Sequence, residues 1–348
     1  MLDLNPKSQY LNSKQILNPN SPMFQALKFG IWNLKHWNLF MILNFGFRFF
    51  LVSIFLCGCQ NGRLYKDTQV LMGTFVEVIS PDERAGRIAF AEIKRIEGLL
   101  SKYKEESQVS RLNKLGELKV SPDTLYVLCE AGKFWRASDG AFDVTVGPLI
   151  DLWGFTDKKY RLPDKSKIAE ALKLVGFGKI IIDEKNNMVK FTARGLKLDL
   201  GAIAKGYAVD CAVKKIKQAG INSCLINAGG DIYCLGDKFG RPWRVAVRNP
   251  LGNKCSGYLQ LKDKAVATSG NYEQYFISKG RLYSHIFNPQ TGYPVDSDVV
   301  SVTVIAPDCL TADALATSIF VLGKEKGLKL AKNFPNIEVK VIERNCNK

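Results

Sequence analysis

Histidine is nearly missing from this 348-residue chain, which holds only His36 and His285. No G-x-x-x-x-G-K-[ST] loop, no G-x-G-x-x-G turn and no Ser-His-Asp signature is present. These absences exclude the P-loop, the common dinucleotide fold and the serine hydrolases. The nine cysteines, at 57, 59, 129, 211, 224, 234, 255, 309 and 346, have neither the paired spacing of a zinc site nor the density of a disulfide scaffold. Cys129, Cys211, Cys224 and Cys234 lie in apolar runs and read as small core residues, while pairing stays open for a chain that meets oxidants. With no Pro/Gly/Ser-rich linker, repeat or low-complexity tract, one compact unit is expected.

What is there suits a globular protein: 46% of residues are hydrophobic. The formal charge is +16, and the part before Cys59 supplies only Lys7, Lys14, Lys28, Lys35 and Arg48 against Asp3. Most of the surplus therefore belongs to the remainder, and it favours phosphate-bearing ligands, acidic headgroups or acidic proteins. Nucleic acid is not an expected partner, because no basic cluster is interleaved with aromatics.

The front of the chain reads as an address. From Met41 it carries one positive charge, Arg48, then an apolar run of signal-peptide length ending in Leu56-Cys57-Gly58-Cys59. This resembles the lipobox of bacterial lipoproteins, with Cys59 as the lipidated residue; a buried helix of the fold is the alternative. The expected layout is an over-extended start over 1–40, a signal peptide over 41–58, a tether over 59–64 and the functional domain over 65–345. Such a protein is exported and held on the periplasmic side of a bacterial membrane.

Beyond the tether, Val70 to Ile79 has strand character and Asp82 to Leu100 has apolar residues at helical spacing. A helix is predicted from Asp123 to Ser138, opened by Ser121-Pro122-Asp123, followed by a loop from Phe142 to Trp153. Short strands are predicted at 179–182, 188–192, 196–200, 223–228, 243–248, 258–261, 265–269 and 299–306. Helices are predicted from near Gly201 and from Thr311 to Leu322. Hairpins mixed with helices make the expected class α+β.

Five segments can carry chemistry. In Thr311-Ala-Asp-Ala-Leu-Ala-Thr317, Thr311 can cap the helix, while Asp313 and Thr317 are four apart and project from one face. That pair is half a site for a hard cation, or simply a carboxylate at a helix start. In Leu198-Asp199-Leu200-Gly201-Ala202-Ile203-Ala204-Lys205, small residues at a helix start admit a phosphate beside Lys205, or only permit tight packing. Asn227-Ala-Gly-Gly-Asp231 is a sharp turn or a ligand approach. His285 is the only histidine after the leader, and so the only imidazole for catalysis there. In Gly140-Ala141-Phe142-Asp143, Phe142 can face a flat ring and Asp143 can accept its N–H groups, though Phe is commonly core.

In this order, Met72-Gly-Thr74, Ser101-Lys-Tyr103, Gly140 to Asp143, Leu198 to Gly206, Asn227 to Asp231, Ala267-Thr-Ser-Gly270, His285-Ile-Phe-Asn-Pro-Gln-Thr-Gly292 and Ala312 to Thr317 resemble the ApbE family of FAD:protein FMN transferases. The resemblance spans about 64–342. It implies a two-lobed α+β fold with mixed or antiparallel sheets, flanking helices and FAD in a cleft between the lobes. The flavin ring would lie near Met72 and Tyr103, held by Ala141, Phe142 and Asp143, with Asp199 and Lys205 facing the nucleotide. Mg²⁺ near the diphosphate would be held by Asp313, Thr317 and the carbonyl of Ala202. The proton of the attacking hydroxyl would pass to His285, with Asp199 and Asp143 as rivals. The resemblance implies FMN transfer to a Thr or Ser of an acceptor flavoprotein, a redox-pump subunit being one such acceptor. The alternatives are an FAD pyrophosphatase and a non-catalytic FAD-binding lipoprotein. Phe287-Asn288 departs from the family's more usual aliphatic-Asp pair.

Overall fold

A computed structural model describes residues 62–250, 252 and 255–344; the expected signal segment and Cys59 lie outside them. In chain order the strands are β1 (Tyr65–Leu71), β2 (Thr74–Ser80), β3 (Glu117–Lys119), β4 (Ile180–Asp183), β5 (Met188–Phe191), β6 (Cys224–Ala228), β7 (Asp231–Leu235), β8 (Trp243–Arg248), β9 (Cys255–Leu261), β10 (Lys264–Gly270), β11 (Tyr275–Ser278), β12 (Arg281–Ser284), β13 (Val299–Ala306) and β14 (Glu338–Glu343). The α-helices are α1 (Arg84–Leu100), α2 (Gln108–Leu115), α3 (Pro122–Ala137), α4 (Gly147–Leu152), α5 (Lys165–Leu172), α6 (Ala204–Gln218), α7 (Cys309–Leu322) and α8 (Lys324–Ala331).

The central sheet runs β1-β2-β6-β7-β10-β13-β14, antiparallel at every junction. Period-two alternation sorts its side chains. Cys224, Ile226 and Ala228 join the main core with α1, α6 and α7, whereas Leu225 points the other way, into a cluster with Trp243, Val245 and Leu261 of the β8–β9 hairpin. A third cluster, built around Trp153, Phe155 and Phe287, lies with α4 and α5. Residues from Gly62 onward form one contact unit.

The α+β class holds, with local corrections. The single strand expected over Val70 to Ile79 is a hairpin, turned at Met72-Gly73, where both residues have positive φ. A primed turn matches the right-handed twist of its strands, and a Met in that position conceals the usual Asn-Gly signal. The expected loop after Phe142 contains α4, and the expected strand over 196–200 is extended chain with one isolated bridge, Val146 to Lys197. Thr311 does not cap α7: the Asp308 side chain accepts from the Thr311 N–H, so the helix starts earlier, at Cys309. Cys224 and Cys234 are buried, but Cys129 and Cys211 only partly, and the six described cysteines are free.

The joint between α6 and α7 sets the position of everything that follows. A Cβ at Gly206 would sit 2.4 Å from the Cys309 carbonyl oxygen, so only glycine lets the helices approach this closely. One turn on, Asp210 accepts from the N–H groups of Cys309 at 2.8 Å and Leu310 at 2.9 Å. A carboxylate there satisfies donors that a helix start leaves unpaired and complements its dipole. Burial nevertheless pushes the Asp210 carboxyl up to about 7.

Asp210→Ala is expected to cost about 2–3 kcal/mol in urea unfolding, since it strands two N–H groups at a buried helix start. Because the folded-state carboxyl binds its proton more tightly than the unfolded one, this group's contribution to stability falls as pH rises from about 4 towards 7. Asp210→Asn, measured across that window, should show a shallower decline than the wild type.

Candidate active site

Two turns and the end of a strand meet at one end of the central sheet. Met72-Gly73 and Gly229-Gly230 are neighbours because β2 pairs with β6, and the Gly229 N–H donates to the Phe75 carbonyl at 3.1 Å. A Cβ on Gly229 would meet Thr74 Oγ1 at 2.4 Å, and its φ is +65°, so both space and conformation require glycine. Thr268-Ser269-Gly270 of β10 reaches the same end, because β10 runs antiparallel to β7 past Asp231.

These turns, the end of β10, the start of α6 and one face of α7 enclose a cavity of about 520 Å³, in the usual size range for small-molecule sites. Every residue expected in the site lines it: Met72, Tyr103, Ala141, Phe142, Asp143, Asp199, Ala202, Lys205, His285, Asp313 and Thr317. The aromatic cluster bounds it through Phe155 and Phe287, the main core through Leu100 and Phe142. One set of lining residues is thus apolar and aromatic, and another is charged.

Lys205 anchors the charged set. Its Nζ lies 2.5 Å from Asp231 Oδ2, 3.3 Å from the Gly201 carbonyl and 3.5 Å from Asp313 Oδ2. Burial alone would lower the lysine, but Asp231 and Asp313 outweigh it and raise it well above its ordinary value. About 27% of its side chain remains accessible, through the cavity. Burial and then the Asp231 carboxylate push Asp313 upward, and burial pushes Glu273, a further lining residue, up to about 7. Two carboxylates thus meet one ammonium, and Glu273 stands elsewhere in the same wall.

That excess suits a cation. Asp313 Oδ2 accepts from the Gly206 N–H at 3.2 Å, whereas Oδ1 has no hydrogen-bond donor among the described residues. Thr317 lies one turn on, its hydroxyl 3.0 Å from that of Ser269. No group of three or more His, Cys, Asp or Glu side chains poised for a metal occurs among the described residues. A carboxylate, a hydroxyl and a carbonyl fit a hard ion that keeps places for water and phosphate, rather than zinc.

Asp199 and Lys102 form a second, balanced pair at 2.7 Å, with side chains only 15% and 10% exposed. Lys102 also donates to Thr156 Oγ1 at 3.0 Å, and Asp199 Oδ1 accepts from the Gly201 N–H at 2.8 Å. Burial opposes the Asp199 carboxylate, but Lys102 outweighs it and holds it below its ordinary value.

His285 Nδ1 lies 3.1 Å from the Gln274 carbonyl, which can only accept. Nδ1 therefore carries the proton and Nε2 the lone pair. Burial holds the imidazole below its ordinary value, hence neutral near pH 7. The oxygens of Asp143 are engaged within the protein: Oδ1 by the N–H and hydroxyl of Thr145, Oδ2 by the Phe177 N–H. Burial raises that carboxyl, and its hydrogen bonds hold the loop on which Phe142 sits.

Sequence reasoning gave no role to Lys102, Asp231, Glu273 or Ser269. Lys102 and Asp231 sit inside motifs quoted above, between Ser101 and Tyr103 and after Gly229-Gly230. Glu273 carries no local signal at all.

The model of the ApbE family matches residues 72–341. An FAD:protein FMN transferase of Haemophilus influenzae is 33% identical over 323 residues, covering 85% of this chain and 91% of its own length. Among solved structures, an ApbE protein from Thermotoga maritima has a TM-score of 0.75 at 37% identity, covering 81% of this chain and 94% of that one. The flavin transferase ApbE from Vibrio cholerae has a TM-score of 0.74 at 31% identity, covering 82% and 94%.

Lys102→Met should destabilise the protein by about 3 kcal/mol at neutral pH, because it leaves the Asp199 carboxylate buried without its counter-ion. The paired carboxylate contributes stability above its unfolded value of about 4, and that contribution is lost as pH falls through the lower folded value. The gap between variant and wild type in denaturant titrations should therefore narrow in acid.

Proposed function

The chain belongs to the ApbE family, and on that footing we propose that it is an FAD:protein FMN transferase. It uses Mg²⁺ and attaches FMN through a phosphoester to a Thr or Ser of an acceptor flavoprotein, releasing AMP. The observation that carries this is the single cavity in which an aromatic lining, fit for a flat ring, adjoins a carboxylate-rich lining with Lys205, fit for a diphosphate and its cation.

The residues divide the work. Tyr103 and Met72 offer surface to the ring, and Phe142, buried in the main core, backs that wall. The Lys102–Asp199 pair presents no net charge to an anionic substrate. Lys205 supplies fixed positive charge beside the diphosphate, where repulsion otherwise opposes a nucleophile. A Mg²⁺ held by Asp313, Thr317 and the Ala202 carbonyl would act as a Lewis acid on the phosphate oxygens. The acceptor hydroxyl oxygen forms a bond to the FMN phosphorus, the bond from that phosphorus to the bridging oxygen breaks, and AMP leaves with the bridging oxygen. The hydroxyl proton goes to His285 Nε2, which carries the lone pair; Asp199 is the weaker base, since Lys102 and the Gly201 N–H hold its oxygens.

We further propose that the protein is exported and held at a membrane through Cys59. The motif at Leu56 to Cys59 supports this reading, and no described helix is long and apolar enough to cross a membrane.

With FAD, Mg²⁺ and a candidate acceptor, flavin fluorescence should stay with the acceptor band on a denaturing gel. Free FMN and AMP with no labelled band would instead make the protein a pyrophosphatase. Asp313→Ala should abolish labelling while FAD still binds. His285→Gln should lower kcat by about 100-fold and remove the acid limb of the wild-type pH profile, which is expected below about 6.5 because burial lowers the imidazole. For the anchor, Cys59→Ala should release the protein from the membrane fraction and end incorporation of labelled fatty acid; unchanged incorporation would overturn Cys59 as the site.

A further inference from the structure

Lys205 stands between two carboxylates that it does not share equally. Its ammonium has three acceptors within reach, and Asp231 Oδ2 at 2.5 Å is an ångström nearer than Asp313 Oδ2 at 3.5 Å. Attraction between charges rises as they approach, so the ammonium belongs to Asp231. Asp231 is held in place for this. It is the first residue of β7, directly after the Gly229-Gly230 turn that Thr74 and Phe75 confine, and the Asn227 side chain accepts from the Gly230 N–H at 2.9 Å. Its side chain is 5% exposed, so its carboxylate has little room to move.

We propose that Asp231 is a positioning residue which parks the Lys205 ammonium and so keeps the Asp313 carboxylate available to a divalent ion. This rests on the reading of Asp313 as an ion ligand. Without Asp231, Asp313 becomes the strongest anionic acceptor that Lys205 already contacts, and a buried ammonium moves to the carboxylate it can reach. It then neutralises the group that the ion needs. Lys205 and the ion are competitors for Asp313, and Asp231 decides the competition.

The test is Mn²⁺ affinity of the full chain without FAD, read from the EPR signal of free Mn²⁺, with thermal melts to verify folding. Asp231→Asn should weaken Mn²⁺ binding about tenfold or more. Lys205→Met should bind Mn²⁺ several-fold more tightly than the wild type. The double variant should return to within about threefold of the wild type, because the competitor is gone. Wild-type affinity in Asp231→Asn overturns the proposal, since a merely structural role would move the melt alone. A double variant as weak as Asp231→Asn also overturns it, making Asp231 a ligand in its own right. Should Asp231→Asn fail to fold, Lys205→Met decides: tighter binding supports the proposal, and unchanged or weaker binding overturns it. Asp313→Ala separates the two layers. If it binds Mn²⁺ as the wild type does, the ion-ligand reading has failed; if it loses Mn²⁺ while Asp231→Asn does not, only the positioning role has failed.

Discussion

The contact on which the site depends is the close crossing of α6 and α7 at Gly206. There the Asp313 carboxylate reaches across to the Gly206 N–H and faces Lys205 one residue away. α7 is buried on nearly every side, so a carboxylate on it loses its water and must find donors in the protein. The first turn of α6 provides an N–H and an ammonium, and Asp210 and Asp308 fix the start of α7 so that the two meet. A larger residue at 206 would separate the helices and take the donors away together.

Around that joint, the sheet end supplies rigidity at a conformational cost. Met72 adopts a positive φ that bulky residues avoid, and its N–H is held by Glu97 Oε1 at 2.9 Å. Strain of about 1–3 kcal/mol at such a position persists only where neighbours over-determine it. Here Glu97 of α1 and the pairing of β1 with β2 do so, and the strained residue lies in the cavity wall.

Two ion-pair systems with different balances then divide the cavity. Lys102 and Asp199 are matched one to one and keep their part of the wall neutral. Lys205 is outnumbered by Asp231 and Asp313, and the surplus of carboxylate attracts cations. An anionic dinucleotide can meet a neutral wall at one pair and a cation-seeking one at the other. The same side-chain chemistry gives opposite results because the counting differs.

Much of this was legible in the residues. The helical spacing of 82–100, the Ser121-Pro122 start of α3, the strand over 299–306 and a carboxylate within the apolar run of α7 are local signals, and local physics reads them. The β1–β2 hairpin was not legible, because Met72 stands where a turn residue is expected. The start of α7 was misplaced because Asp308 competes with Thr311 for the cap. The chain by itself determined the inventory: one imidazole among the described residues, a carboxylate and a hydroxyl four apart, and glycines where helices or turns must close. Which cation meets which carboxylate was decided only by tertiary structure. Lys205 finds Asp231 at a separation of 26 residues and Asp313 at 108, distances over which no periodicity carries information. Electrostatic energy depends on spacing in three dimensions and on excluded water, and only the packed sheet end and the α6–α7 crossing supply both.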